Sequence, residues 1–521
     1  MTDTLLFPGV YAKASPEKTA VIMAGSGETM SYGELDAYAN KLARHFAKLG
    51  FEYGDHIAIL VDNRLECPAI QWGAHYAGLY YTFISNRLTA SEVAYIVEDC
   101  GAKAFIACSS TIELAQAACE EMSTSPLLYS VDAAADVENL EDVLVGYSTD
   151  PLEGAKEGSE MLYSSGTTGR PKGVKPVLTD LPLGSTYTVA GLMKMGFGVS
   201  DASVYLSPAP YYHAAPMKWC QGTLALGGTV VMLEKFDAEK ILAAIDQYSV
   251  SHAQFVPTMF TRLLALPEAV KEKYDISSLK VAVHAAAPCP VPVKEAMLNW
   301  WGDIIAEYYS CTEGIGMTLV TSAQWREHPG TVGKALLGEV HILNEAGEEL
   351  PAGEDGTVYF ANGAPFVYHN DEAKTAEAYN GQGWASVGDI GHVDADGFLY
   401  LTDRKSNMII SGGVNVYPQE TENVLIAHPK VMDAAVIGTP HADFGEEVRA
   451  VVQLEQGIEP TEALAEELIA YCREQLSAIK SPRVVDFRES LPREPNGKLL
   501  KRLLRDEYRA KLSASLGQCL T

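Results

Sequence analysis

Tyr163-Ser164-Ser165-Gly166-Thr167-Thr168-Gly169-Arg170-Pro171-Lys172-Gly173 places three glycines and four small hydroxyl side chains in eleven residues, directly after the apolar pair Met161-Leu162. Glycine lets the backbone approach an anion closely, and successive amides with Ser and Thr hydroxyls donate to phosphate oxygens. Arg170 and Lys172 add positive charge. The stretch does not fit G-x-x-x-x-G-K-[ST], so it is a different phosphate loop from the Walker type. By composition alone, a plain flexible surface loop explains it equally well.

On either side, short β-rich runs alternate with amphipathic stretches: IAILVD at 57–62, AIQWGAHYAGL at 69–79, KAFIAC at 103–108 and TIELAQAACEEM at 111–122. That alternation predicts layered α/β sheets. SVYLSPA (203–209), GGTVVML (227–233), HAQFVP (252–257), KVAVHAA (280–286) and DIIAEYY (303–309) are further strand candidates. Each runs into a loop rich in Gly, Pro, Ser or His, the place where open α/β sheets build a ligand crevice. After the turn dipeptide Asp396-Gly397 the character changes, and a small α+β domain is expected to follow. The boundary is read near Asp403 to Ser406, giving a large domain 1–403 and a small one 404–521. Within the latter, Thr461 is the expected cap of a helix whose apolar residues Leu464, Leu468, Ile469, Cys472 and Leu476 recur at helical spacing.

The 521 residues suit two or more compact units, and 47% apolar with 21% charged residues suits a soluble globular protein. The 39 basic and 68 acidic side chains leave a net charge of −29, so the field as a whole repels nucleic acid and anionic lipid. Any anionic ligand must be held by local devices. Nine cysteines lie singly, without C-x-x-C pairs or zinc spacing, which points to a reducing cytoplasm. MTDTLLFPGVYAK does not read as a signal peptide, and GQCLT carries no peroxisomal or prenylation signal. The apolar stretch from Trp219 to Leu233 is shorter than the roughly 18 residues a spanning helix needs and is expected to contain a buried strand.

YSSGTTGRPKGV resembles the phosphate-loop motif of the adenylate-forming superfamily: acyl-CoA synthetases, firefly luciferases and amino-acid adenylation domains. Further blocks occur in that family's order: YYHAAP at 211–216, HAAAP at 284–288, YYSCTEG at 308–314, GWASVGDIG at 383–391, LTDRKSNMIISGGVNVYPQETE at 401–422 and PREPNGKLLKR at 492–502. Together they cover nearly the whole chain. The resemblance implies two half-reactions, in which ATP with Mg²⁺ converts a carboxylic acid to an acyl-adenylate and coenzyme A then takes the acyl group.

It also implies roles residue by residue. Ser164, Ser165, Gly166, Thr167, Thr168, Gly169 and Lys172 hold the nucleotide phosphates, with Thr167 and Glu313 toward the metal. One carboxylate is chemically sufficient for a hard cation bridging phosphate oxygens. Thr312 meets the phosphate, and Ala286, Ala287 and Pro288 let adenine lie against backbone. Asp389 accepts from the ribose hydroxyls, supported by Arg404; a carboxylate suits a vicinal diol because it accepts two hydrogen bonds at once. The position of Val387 usually carries Thr or Ser, so one hydroxyl is missing. Lys498 is the mobile catalytic lysine. Ser406, where Asp or Lys is common, is the hinge, and Ser411, Gly412 and Gly413 border the pantetheine tunnel.

Tyr211, Tyr212, His213, His284, Tyr309, Ile315, Gly316 and Met317 are the implied walls of the acyl pocket, His213 with a gating or carboxylate-facing role. APYYHAAPM (209–217) lacks the Asp with which amino-acid adenylation domains grip an α-ammonium, so a hydrophobic acid is expected. DRKSNMIISGGVNVYPQE looks most like bacterial fatty-acyl-CoA and bile-acid-CoA ligases, leaving fatty, arylalkanoic and steroid side-chain acids open. An acyl-AMP ligase or luciferase-like enzyme with another acceptor is the runner-up, and a non-catalytic acyl or nucleotide sensor the rival from another class. The reading involves no nucleic acid and no transmembrane segment, and leaves a homodimer open.

Overall fold

The computed structural model describes residues 5–134, 136–164, 171–185, 188–411, 414–441, 444–494 and 498–518. The chain forms layered α/β sheets and divides into two compact units. The first comprises Met1–Phe255, Ala265–Val283 and Pro365–Glu377; the second comprises Val256–Leu264, His284–Ala364 and Ala378–Thr521.

In the first unit the apolar runs become parallel strands. His56–Leu60 is buried along its whole length and lies between Tyr80–Phe83 and Ala102–Ala107, in parallel register with both. A continuous apolar run is what a parallel strand covered on both faces requires. The helices around this sheet begin at local signals: Ser31 and Glu34 form a capping box for Tyr32–Lys48, as Thr89 and Glu92 do for Ala90–Asp99. The stretch Trp219 to Leu233 does contain the expected buried strand, Thr229–Met232, but its first half is the end of helix Ala214–Ala225. Gly227, at φ 84°, separates the two, because a left-handed residue stops a helix cheaply only when it lacks a Cβ.

The second unit carries an antiparallel sheet and a mixed one. One runs in the order Glu339–Leu343, Gly356–Ala361, Asp389–Val393 and Leu399–Arg404. The other is built around the long hairpin Val431–His441 and Gly445–Leu454. Alternation along this hairpin separates two cores. Ala434, Val436, Val448, Ala450 and Val452 pack with Leu425, Leu464, Leu468 and Cys472, whereas Ala435, Ile437 and Val451 pack with Leu491 and Leu504. Helices thus cover both faces. The expected cap is present: Thr461 accepts from the Leu464 N–H and opens helix Glu462–Gln475.

Beneath strand Ile305–Ser310 lies an ion pair closed off from water. Lys294, only 1% exposed, donates from Nζ to Glu307 Oε2 at 2.5 Å and sits over the Trp325 ring. Burial pushes the Glu307 carboxyl up and the ammonium opposes that shift. Removing one partner of such a pair strands the other charge in the interior. Glu307→Ala should therefore cost about 3–5 kcal/mol, measured as a lower urea midpoint, and the double change Lys294→Met with Glu307→Leu should recover most of it. A single variant as stable as the parent would contradict the assignment.

Candidate active site

The centre of the site is a pair of strands in register. Asp389 opens Asp389–Val393 and stands directly opposite Arg404, the last residue of Leu399–Arg404. Cross-strand neighbours lie close enough to interact, and here Arg404 Nε donates to Asp389 Oδ1 at 2.9 Å. From strand Ile305–Ser310, Tyr309 donates its hydroxyl to the other oxygen, Oδ2, at 2.5 Å. Asp389 is 5% exposed, so its charge rests on these two donors. In turn the Asp389 carboxylate holds the Arg404 guanidinium above its usual range, and burial followed by the Asp389 charge raises the Tyr309 phenol well above its own.

Asp389 is the first residue of its strand. Gly388, at φ 82°, turns the chain into the strand, and its carbonyl accepts from the Lys405 N–H at 2.9 Å. The hydroxyl lacking at Val387 has a neighbour in Ser386, but that side chain donates to the Val358 carbonyl at 2.7 Å and accepts from the Gly388 N–H.

Thr312 and Glu313 occupy the turn after Ile305–Ser310, closed by the Gly314 N–H donating to the Cys311 carbonyl, with Gly314 at φ 69°. Lys498 lies in the hairpin made by the Arg493–Leu499 bridge, its carbonyl accepting from the Glu494 N–H at 2.8 Å. Burial and the Arg404 charge lower the Lys498 ammonium below the ordinary lysine range, while Glu494, Glu313 and Asp389 act in the other direction. One electrostatic neighbourhood thus gathers Glu313, Asp389, Arg404 and Lys498. Ala286, exposed and at φ 76°, is a non-glycine residue in the left-handed region within the loop Ala285–Pro288. Such backbone persists only where its surroundings hold it.

Other expected residues fall in several places. Ser310 Oγ donates to the Gly316 carbonyl, and Ser310 pairs with Met317, so Tyr309, Ile315, Gly316 and Met317 share one turn between strands. A Cβ on Gly316 would lie 1.9 Å from Phe360, whose ring is 6.1 Å from that of Tyr309. His284 is completely buried, 3.4 Å from Glu307 and edge-on to Phe260, and burial keeps its imidazole neutral. In the first unit, Tyr211 is a core residue whose hydroxyl donates to Gln71, and His213 precedes helix Ala214–Ala225 with its ring 4.5 Å from that of Tyr212. Lys172 opens the strand Lys172–Pro176, pairing with Ser164. Ser406 lies in the short 3-10 turn Lys405–Asn407, and Ser411 is buried. Ser165, Gly166, Thr167, Thr168, Gly169, Gly412 and Gly413 lie outside the described residues, as does the Ser164 side chain.

Sequence reading missed that Tyr309 shares its hydroxyl with Asp389, because no spacing rule links residues 80 apart. It also missed Lys294, Glu307, Glu422 and Lys501, whose burial no local pattern in the sequence announces. Among the described residues, no helix is long and apolar enough to cross a membrane.

This chain belongs to the AMP-binding enzyme family, which matches residues 10–366, with the AMP-binding enzyme C-terminal domain at 420–498. Among curated relatives, it is 30% identical over 517 residues to the long-chain-fatty-acid–CoA ligase FadD13 of Mycobacterium tuberculosis, covering 96% of this chain and 97% of that one. Among solved structures, it resembles o-succinylbenzoate CoA synthetase (MenE) from Bacillus subtilis in complex with its acyl-adenylate intermediate, with TM-score 0.80, 26% identity and coverage of 97% and 99%. It also resembles the amide bond synthetase McbA from Marinactinospora thermotolerans, with TM-score 0.81, 27% identity and coverage of 96% and 99%.

The charges around Lys498 make its titration a direct probe of this geometry. As pH rises, its cation should be lost before those of solvent-exposed lysines. Glu313→Gln removes a charge that stabilises the ammonium and should lower the midpoint further; Arg404→Met should raise it. NMR of ¹³C-dimethylated lysines reports both, and a Lys498 resonance indifferent to both changes would separate it from the cluster.

Proposed function

We propose that this chain is an ATP-dependent, AMP-forming acyl-CoA ligase acting on a hydrophobic carboxylic acid. The observation that best supports the reading is the convergence of Lys498 with Asp389, Arg404 and Glu313. In the first half-reaction an acid carboxylate attacks the α-phosphorus of Mg·ATP, forming the acyl-adenylate and releasing pyrophosphate. In the second, the thiol of coenzyme A attacks the acyl carbon, a C–S bond forms and AMP leaves.

Two anions must approach in the first step, and a positioned cation lowers that repulsion as charge builds at phosphorus. Lys498 fits that task. Asp389 keeps acceptor capacity beyond its bonds to Arg404 and Tyr309, since an ionised carboxylate offers about four lone-pair sites, and it is assigned to the ribose diol. Glu313, with Thr167, is assigned to the Mg²⁺ that accompanies ATP. The loop 164–169 with Lys172 and Thr312 serves the phosphates, and Ala286, Ala287 and Pro288 serve adenine. The acid lies against Tyr212, His213, Tyr309 and the Ile315–Met317 turn, and Ser411 to Gly413 border the thiol channel. A large domain 1–403 and a small domain 404–521 alternate about Ser406 between the two steps, in the cytoplasm.

The resemblance to the amide synthetase favours one second reading, an adenylating enzyme with an acceptor other than a thiol. Pyrophosphate release with dodecanoic, cinnamic and steroid side-chain acids, followed with and without coenzyme A, decides between them. Thioester formation supports the ligase; adenylate that accumulates untouched by coenzyme A overturns it.

Lys498→Ala should remove most pyrophosphate release while leaving ATP binding within about twofold, because the cation acts chiefly in the transition state. Unchanged release would refute its role. Asp389→Ala should weaken ATP binding by about 1.5–3 kcal/mol, the scale of hydrogen bonds to a charged acceptor, as read by calorimetry. A dissociation constant within about twofold of the parent would remove the ribose assignment.

A further inference from the structure

Asp403 stands two residues before the 3-10 turn Lys405–Asn407, and two of its partners, Gln419 and Lys501, lie beyond that turn. Its Oδ1 accepts from the Arg404 N–H at 2.6 Å and from Asn407 Nδ2 at 3.1 Å. Its Oδ2 accepts from the Gln419 N–H at 2.9 Å, at the start of helix Pro418–Ile426, and lies 3.9 Å from Lys501 Nζ. Lys501, 8% exposed, donates to Glu422 at 2.8 Å, and Glu422 in turn accepts from the Val436 N–H. One buried ammonium therefore serves two buried carboxylates.

Lys501 is three residues after Lys498 and begins helix Lys501–Gln518. One helical turn further on, Arg505 Nη1 donates to the Ser406 carbonyl at 2.8 Å. The helix that follows Lys498 is thus fastened at two levels, to Asp403 and to the turn. Rotation about Ser406 keeps Asp403 with the first domain and carries Asn407, Gln419 and Lys501 away with the second. Each of these three contacts must break.

We propose that Asp403 and Lys501 form an electrostatic latch across the Ser406 pivot, holding the small domain in the arrangement that sets Lys498 beside Asp389, Arg404 and Glu313. The proposal rests on the two-domain reading above. It makes Lys501 a positioning residue for the first half-reaction. A charge pair shielded from water is stronger than an exposed one, and releasing it leaves Lys501 with Glu422 alone and Asp403 without its cation. The latch therefore biases an equilibrium between arrangements and does not forbid the second one. A bias of this kind works through differential contacts in the two states.

The test uses the full chain with non-cysteine spin labels at the exposed positions 345 and 466, and pyrophosphate release with dodecanoic and cinnamic acids. The parent and Lys501→Arg should give one narrow distance distribution. Asp403→Asn and Lys501→Met should give a second population on the order of a third of the molecules. The pyrophosphate-release kcat should fall about tenfold in these two variants with the ATP KM held, because orientation is lost and nucleotide contacts are not. Should Lys501→Met fail to fold, with Glu422 stranded, Asp403→Asn decides, since it leaves the Lys501–Glu422 pair intact. Distance distributions in Asp403→Asn identical to the parent overturn the latch. Lys498→Ala separates the two ideas: it should remove most pyrophosphate release without altering the distances. Retained release there defeats the Lys498 assignment and leaves the latch to its own measurement.

Discussion

Everything at the site follows from the burial of one carboxylate. An ionised Asp389 out of water is tolerable only with donors fixed in advance, and the fold supplies them from two directions. The antiparallel register sets Arg404 opposite it, and the strand Ile305–Ser310 brings Tyr309 to its second oxygen. A slip of one residue in either strand pair would turn these side chains to the other face. Gly388, the Lys405 N–H and the turn after Arg404 secure that register.

The same solution recurs elsewhere in the second unit. Glu307 is matched by Lys294, and Glu422 with Asp403 by Lys501, each cation more than nine-tenths buried. In a chain with a net charge of −29, these few cations are removed from the surface and spent inside. Buried pairs of this kind give little net stability compared with apolar packing, and their value lies in specifying one arrangement. Here they lie on the strand that carries Tyr309 and runs into the turn of Thr312 and Glu313, and on the helix that follows Lys498.

Features generated by neighbours in the chain were legible in the sequence. The Thr461 cap, the turn at Gly397 and the strands 57–60 and 229–232 depend on residues within a few positions of each other. The layered α/β class and the family blocks were legible for the same reason. Partnerships across long separations were not. Nothing in GWASVGDIG says that Asp389 begins a strand, because apolar alternation has no direction. Nothing in YYSCTEG says that Tyr309 spends its hydroxyl on a residue 80 positions away. His284 reads as a pocket wall from its motif, and that it lies completely buried beside Glu307 and edge-on to Phe260 is a matter of packing that the motif does not record.

The turn at Ile315 to Met317 carries a lesson for redesign. Gly316 leaves no room for even a methyl group beside Phe360, and a Cβ on Gly363 would lie 1.7 Å from the Ile315 carbonyl oxygen. Under the proposed function this turn borders the acid, and its glycine and Gly363 admit no side chain without displacing the Phe360 ring or the Ile315 backbone. A library aimed at altered acid preference should therefore vary Phe360 and the side chains facing it, and hold both glycines constant. Diversity introduced at the glycines would be read out as loss of folded protein, and a screen would mistake a backbone clash for intolerance of new substrates.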